Sequence, residues 1–536
     1  MYGKMFSACL YGIDGVIIQV EVDISNGLPQ TSIIGLPDSA IREAVERVRA
    51  AIKNCGFRFP NQRVTINLAP ADLRKEGSAF DLAIALGILV TSGQIVLPSD
   101  IRLLMIGELA LDGTLRPVSG VLSMVDRAKQ EGFNAVLLPE ENGAEADLIK
   151  EINVYSLGHL RELLYPGGIL LPKAGRKESD PPVILHSLDF LRKSPSSTPI
   201  LSASYIYSAS YEDYSDVLGQ QHVKRALTIA AAGMHNIVLI GPPGTGKTML
   251  IKRLPTILPA LTEQESLETT KIFSAAGKLK EPSTGLLKQR PFRSPHHTIS
   301  SGGLIGGGTI PKPGEVSLAH RGILFLDELP EFSRNVLEVL RQPLEDRAVT
   351  ISRARAVHTF PAHFMLCASM NPCPCGYLGS DHPEHRCTCS STRIASYRAK
   401  ISGPLLDRID LQVDVPRPKE WTKETFSLSS EEMRERVMLA HRIQLRRYRH
   451  LPFSYNSELG GRHLRNFAAL SSDTATMLQE TLEALGLSMR AYDRILKLAR
   501  TIADLDAKDT IGSSHVAEAI QYRNLDRQQN QAEEVT

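Results

Sequence analysis

No apolar run in this sequence is long enough to span a bilayer: the longest, Leu82 to Val90, stops far short of the roughly 20 residues a membrane helix needs. The opening residues, Met1-Tyr2-Gly3-Lys4, lack the charged-then-apolar pattern of a secretory signal. Net charge is nearly absent too, at +2 from 61 Lys and Arg against 59 Asp and Glu, which neither demands nor excludes nucleic acid because positive charge can be confined to one surface. Cysteine is scarce outside one segment. Of seven, Cys9, Cys55 and Cys367 stand alone and read as small buried hydrophobes, while the other four crowd into residues 373 to 389. No internal repeat is evident. These absences argue against a membrane partner and against a disulfide-stapled secreted domain, so the expected location is the reducing cytoplasm.

What is present is ordinary in bulk, with 42% hydrophobic and 22% charged residues, but 536 residues are too many for one core and predict about three domains. Over residues 1–165 strand and helix patterns alternate. Val16 to Val22 and Val64 to Leu68 are strand-like and Asp38 to Asn54 carries a helical apolar stripe, which predicts an α/β domain. Residues 166–212 turn rich in Pro, Gly and Ser, including Asp180-Pro181-Pro182 and Ser194-Pro195-Ser196-Ser197-Thr198-Pro199, and read as a partly disordered linker. A nucleotide-binding core is expected over 213–418, a helical region over 419–525 and a short tail over 526–536.

The core carries the chemistry. Gly241-Pro242-Pro243-Gly244-Thr245-Gly246-Lys247-Thr248 is a complete G-x-x-x-x-G-K-[ST] phosphate loop directly after the apolar run Ile237-Val238-Leu239-Ile240. Backbone N–H groups of such a loop turn around phosphates, Lys247 reaches the β/γ oxygens and Thr248 holds Mg²⁺, so the chain is expected to bind ATP with Mg²⁺. Downstream, Ile323-Leu324-Phe325-Leu326 suits a strand buried on both faces, with Asp327 at its carboxyl end to hold the Mg²⁺ shell and Glu328 to polarise water. Asn371 follows another apolar run, Phe364 to Ala368, where its amide can position water against the γ-phosphate. Residues Ala348 to Thr359, around Ser352-Arg353-Ala354-Arg355, alternate as a hairpin would; its arginines suit either a phosphate backbone or an acidic partner.

Several segments add family resemblance. Asn371 looks like the sensor 1 residue of oligomeric ATPases, and Gly403-Pro404-Leu405-Leu406-Asp407-Arg408-Ile409-Asp410-Leu411 resembles the arginine-finger region of chelatase and replicative-helicase motors, implying that Arg408 acts on a neighbour's nucleotide. Leu487-Ser488-Met489-Arg490-Ala491 is similar to their sensor 2 segment, implying that Arg490 touches phosphate, with a solvated helix arginine as the alternative. Together with Arg293-Ser294-Pro295-His296-His297-Thr298 and Pro313 to Gly322, these segments resemble the ComM/YifB family of magnesium-chelatase-like AAA+ ATPases across nearly the whole chain. The resemblance implies a P-loop AAA+ core with a carboxyl-terminal helical lid and a homo-oligomeric ring, commonly a hexamer. It also implies ATP-driven work on single-stranded or branched DNA, with branch migration in natural transformation and recombination proteins as partners. The alternative is a chelatase-like or chaperone-like motor that remodels a protein partner; a scaffold with only regulatory ATP binding ranks third.

Residues 1–165 are in turn similar to the proteolytic domain of Lon proteases, which implies a ribosomal-protein-S5-like α/β fold. Ile106 to Gly120 looks like Lon's T-G-E-I-T-L-R-G-x-V-L-P-I-G-G, yet the catalytic lysine position falls on Leu122. Lys75-Glu76-Gly77-Ser78-Ala79 is similar to the nucleophile loop, with Ala79 at the serine position. Ser78 without a base would be unactivated, and Lys129 is seven residues too late, so peptidase activity is not expected. Finally, Cys373-Pro374-Cys375 and Cys387-Thr388-Cys389, flanking a loop with His382 and His385, could close a tetrahedral structural Zn²⁺ site; redox-active or merely buried thiols are the alternatives.

Overall fold

The structure, a computed structural model, describes residues 1–164, 181–192, 212–279, 285–308, 311–353, 356–379, 386–417 and 427–523. The amino-terminal domain is built on β1 (Tyr2–Tyr11), β2 (Asp14–Ser25), β3 (Gln30–Ile34), α1 (Ser39–Asn54), β4 (Arg63–Ala69), α2 (Asp81–Thr91), β5 (Leu103–Met105), α3 (Val121–Gln130), β6 (Ala135–Pro139) and β7 (Asn153–Leu157). Its seven strands lie in the order β7-β6-β5-β1-β2-β4-β3. The strand patterns read from the sequence fall inside β2 and β4, and the helical one coincides with α1 and its cap. Asp38 caps α1, accepting from the Ile41 N–H at 2.8 Å, and Ile41, Ala44, Val48 and Ile52 turn one stripe into the core. The apolar run Leu82 to Val90 forms most of α2, a helix buried nearly all round against β1 and β2.

The linker expected over 166–212 needs a correction. Within it, Val183–Ile184 pairs in parallel with Ile95–Val96, and Leu185, Leu188 and Leu191 are buried in the amino-terminal core. The polar and proline-rich composition around this stretch hid three leucines that have an apolar surface to cover. The rest of the expected linker, apart from Glu212, lies outside the described residues, as does the expected tail 526–536.

The nucleotide-binding core comprises α4 (Gln221–Gly233), β8 (Ile237–Ile240), α5 (Lys247–Lys252), α6 (Glu263–Ala275), β9 (Phe292–Arg293), β10 (Ile323–Leu326), α7 (Arg341–Asp346), β11 (Ala348–Arg353), β12 (Ala356–Pro361), β13 (Met365–Met370), α8 (Ser391–Arg398), α9 (Gly403–Leu406) and β14 (Leu411–Asp414). Five strands form a parallel sheet in the order β9-β10-β13-β8-β14. All four residues of β8 and of β10 are buried, as strands covered on both faces must be. Parallel strands align their carboxyl ends, and that common edge gathers the residues after β8, β10 and β13.

The carboxyl-terminal region is helical: α10 (Ser430–Tyr448), α11 (Gly461–Phe467), α12 (Ser472–Ala484), α13 (Met489–Leu505) and α14 (Ser513–Gln521). It shares one continuous apolar core with α4, β8 and β14. The amino-terminal domain also packs on the core, with α3 against α6, where Lys271 Nζ meets Asp126 Oδ2 at 2.6 Å and the Ser274 hydroxyl donates to the buried carboxylate of Glu145.

Candidate active site

The phosphate loop leaves β8 and enters α5 by a path that needs its glycines. Gly244 and Gly246 take φ of 77° and 84°, the left-handed region, and a Cβ on Gly241 would stand 2.3 Å from the Val415 carbonyl oxygen. Lys247 is folded inward, with Nζ donating to the carbonyls of Gly241 at 2.6 Å and Pro242 at 2.8 Å and to Asn371 Oδ1 at 3.3 Å. Burial draws its ammonium below the ordinary lysine value, partly opposed by the charges of Asp327 and Glu328. Thr248 Oγ1 donates to Asp327 Oδ2 at 2.9 Å. Residues anticipated from two separate motifs, together with Asn371, thus meet at one end of the sheet.

Ser369 was not singled out from the sequence. Only 1% exposed on β13, it donates through its hydroxyl to Asp327 Oδ1 and accepts from the Glu328 N–H at 3.3 Å, orienting the acidic pair. A hydroxyl inside the otherwise apolar run Met365 to Met370 was the available signal. Glu328 itself adopts φ of 55°, a conformation that disfavours a side chain by about 1–2 kcal/mol, and its side chain is exposed beside the buried strand end. The left-handed turn at Glu328 ends the strand direction there, while Asp327 stays tied to Thr248.

Arg408 and Arg490 lie together elsewhere. Arg408 donates to the Pro404 carbonyl at 2.6 Å and forms an ion pair with Glu345 of α7. Its side chain helps line a cavity of about 720 Å³ with Ser301, Glu338, Glu345 and Thr350, and no residue of the phosphate loop lines that cavity. Arg490 is 67% exposed and reaches Asp407 Oδ2 at 3.5 Å. None of the described contacts brings either arginine to the phosphate loop of the same chain. The rings of His296 and His297 lie with centroids 4.0 Å apart and planes tilted by 34°.

The expected hairpin exists as β11 and β12, paired from Ala348↔Pro361 to Arg353↔Ala356. Ala354 and Arg355 lie outside the described residues. The amino-terminal domain reaches this hairpin, a contact no sequence pattern announced: the Tyr11 hydroxyl donates to the Val357 carbonyl at 3.3 Å and its ring lies 4.5 Å from that of His358.

Among the described residues, no hydrogen bond joins a lysine to Ser78 in the Lon-like segments. Leu122 is fully buried at the start of α3, and its N–H donates to Glu145 Oε1 at 3.0 Å. Ser78 donates to Glu108, Lys75 is buried with its ammonium on the Pro70 carbonyl, and Lys129 pairs with Glu151 at 2.9 Å. The isolated cysteines behave as expected of buried thiols, burial pushing Cys9 up to about 12 and Cys55 up to about 11. The other four converge: the sulfurs of Cys373, Cys375, Cys387 and Cys389 all lie within 4.8 Å of one another. His382 and His385 lie outside the described residues.

Residues 213–423 match the family model for magnesium chelatase, subunit ChlI; residues 20–142 match that for subunit ChlI of Mg-chelatase, and 427–523 that for the ChlI carboxyl-terminal region. The YifB protein of Salmonella typhimurium is 43% identical over 519 residues, 96% of each chain. The competence protein ComM of Haemophilus influenzae is 41% identical over 528 residues, 98% of this chain and 97% of its own. A weaker similarity, 26% identity over 168 residues, links 28% of the chain to 30% of Lon protease 2 of Bacillus subtilis. Similarity at this level from end to end, with a complete phosphate-loop site, makes the chain a member of the ComM/YifB family of magnesium-chelatase-like AAA+ ATPases.

Proposed function

We propose that the protein is a ring-forming ATPase that couples hydrolysis to movement on single-stranded or branched DNA. The observation that carries the hydrolytic part is the convergence of Lys247, Thr248, Asp327 and Asn371 at one strand edge. Thr248 and Asp327 offer adjacent hard oxygen donors of the kind Mg²⁺ takes, and would hold it. Mg²⁺, when bound, neutralises phosphate oxygens as charge develops on them. The Lys247 ammonium leaves its two loop carbonyls for the β/γ oxygens, the loop N–H groups hold the phosphates, Asn371 fixes a water and Glu328 accepts its proton.

What the protomer keeps apart supports a ring. Arg408 pairs with Glu345 and none of the described contacts brings it to the phosphate loop of its own chain; in a ring, a neighbour's Arg408 would be the cation that stabilises the transferred phosphoryl group. The competence role named for the Haemophilus relative and the hairpin of β11 and β12 favour DNA as the track. In the amino-terminal domain, Leu122 in place of a lysine and the docking of α3 on α6 favour assembly or partner binding over proteolysis.

The test is steady-state ATP hydrolysis with no DNA and with single-stranded, duplex and branched DNA, together with DNA binding across a salt series. Stimulation by DNA and a steep salt dependence of binding are expected. Hydrolysis indifferent to every DNA, but raised by a protein partner, would refute the DNA reading and favour the chelatase-like one.

A further inference from the structure

Asn371 stands two residues before Cys373, at the start of a segment that returns to it. The segment turns at Cys373-Pro374-Cys375-Gly376, where the Gly376 N–H donates to the Cys373 carbonyl at 3.0 Å. Past Cys387 and Cys389 it enters α8. There the Tyr397 hydroxyl lies close to the Asn371 backbone, and Arg398 donates to the Pro372 carbonyl at 3.4 Å. The turn also lies on the phosphate loop: a Cβ on Gly376, whose φ is 86°, would stand 2.7 Å from Pro243 Cδ.

The four sulfurs that would close this segment are free thiols, separated by 3.3 Å for Cys373–Cys375 and by 3.7 Å for both Cys373–Cys387 and Cys375–Cys387. A tetrahedral ion with metal–sulfur bonds of about 2.3 Å sets its sulfurs about 3.8 Å apart, close to these spacings. The backbone N–H groups of Tyr377 and Thr388 lie close to Cys375 Sγ, where they can support a thiolate ligand. The Arg398 guanidinium faces Cys373 and offsets negative charge on the cluster. Soft ligands, four in number and leaving no open position, select Zn²⁺ in a structural role.

We propose that Cys373, Cys375, Cys387 and Cys389 bind one Zn²⁺, and that the ion is a brace for the nucleotide site, fixing Asn371 opposite Lys247 and the Gly376 turn against Pro243. Without it, the two C-x-C turns lose the ion that joins their sulfurs, and Asn371 loses its fixed register. The brace rests on the nucleotide-site reading above; the metal does not.

The experiment uses the full chain purified under reducing conditions, with zinc content from elemental analysis and ADP affinity measured in Mg²⁺. One zinc per chain is expected. Replacement by Co²⁺ should give thiolate-to-metal charge-transfer absorption, and Cys389→Ser should lose the metal and bind ADP about tenfold more weakly, the effect of one lost hydrogen bond at the site. Cys389→His, which keeps a zinc ligand, should restore both. If Cys389→Ser fails to fold, wild-type protein is stripped with a chelator, freed of it and returned to Mg²⁺; ADP affinity should fall and recover on adding Zn²⁺ alone. Folded, reduced, metal-free wild-type protein overturns the proposal. Zinc loss without change in ADP affinity overturns the brace, whereas a zinc-loaded wild-type chain that binds no ADP refutes the nucleotide-site reading and the brace while sparing the metal.

Discussion

Replacing Asp410 by Asn tests how the finger segment is held. This carboxylate has no exposed surface and sits two residues after Arg408. It accepts from Arg494 Nη1 of α13 at 2.8 Å and from the Asn236 N–H before β8 at 3.0 Å, and His235 Nδ1 lies 3.4 Å away. One side chain thus ties the finger to the strand that carries the phosphate loop and to the helical region. Burial acts to raise its pKa, but the Arg494 charge, with the His235 ring beside it, outweighs that and holds the carboxyl far below the usual range. Asn keeps the shape and one acceptor but leaves Arg494, only 22% exposed, without its counter-charge. Breaking one partner of a buried pair costs about 3–5 kcal/mol, and the partial exposure of Arg494 favours about 3. At about 2–4 °C per kcal/mol, the unfolding transition of the ATPase unit should fall by roughly 6–12 °C in scanning calorimetry near neutral pH. Because the folded pKa is depressed, this stabilisation is complete above the unfolded carboxyl value of about 3.9 and is lost as pH falls through the folded one. The gap between wild type and variant should therefore narrow only in strong acid. Asp410→Asn/Arg494→Met should recover part of the loss, since the stranded cation is gone. An Asp410→Asn protein that melts within a degree or so of wild type would refute the reasoning.

Other outcomes follow from the same geometry. Lys247→Ala should abolish tight ATP binding, whereas Glu328→Gln should retain it and slow hydrolysis by about 10²–10⁴-fold; a wild-type turnover rate for Glu328→Gln would remove it as the water-polarising group. Arg408→Ala should bind ATP and hydrolyse it poorly, and mixing it with Lys247→Ala should restore activity at interfaces that pair an intact finger with an intact loop; rings that exchange subunits without rescue would count against action in trans. Gly376→Ala, forced into positive φ against Pro243, should keep the cysteine cluster intact, lower stability by about 1–2 kcal/mol and weaken ADP binding, as read by melting and titration.

The phosphate loop and the acidic strand end were legible because each is a contiguous string whose chemistry depends on local backbone form: glycines where φ must be positive, four apolar residues where a strand is covered on both faces. The domain order was legible from period and composition for the same reason. Where contacts depend on residues distant in sequence, local pattern was silent. Ser369 tying Asp327 to Glu328, Glu345 holding Arg408, and Asp410 joining three elements are polar contacts made by tertiary packing, and a single hydroxyl or carboxylate in a sequence does not declare its partner. The stretch 181–192 looked like linker because its leucines are dispersed among turn residues, and only the exposed edge at Ile95–Val96 gave them a surface to cover. The two C-x-C pairs likewise stood only as candidate vertices in sequence. Folding brought their four sulfurs within 4.8 Å and set the Gly376 turn against the phosphate loop, because β13 and β8 are parallel neighbours whose carboxyl ends lie side by side.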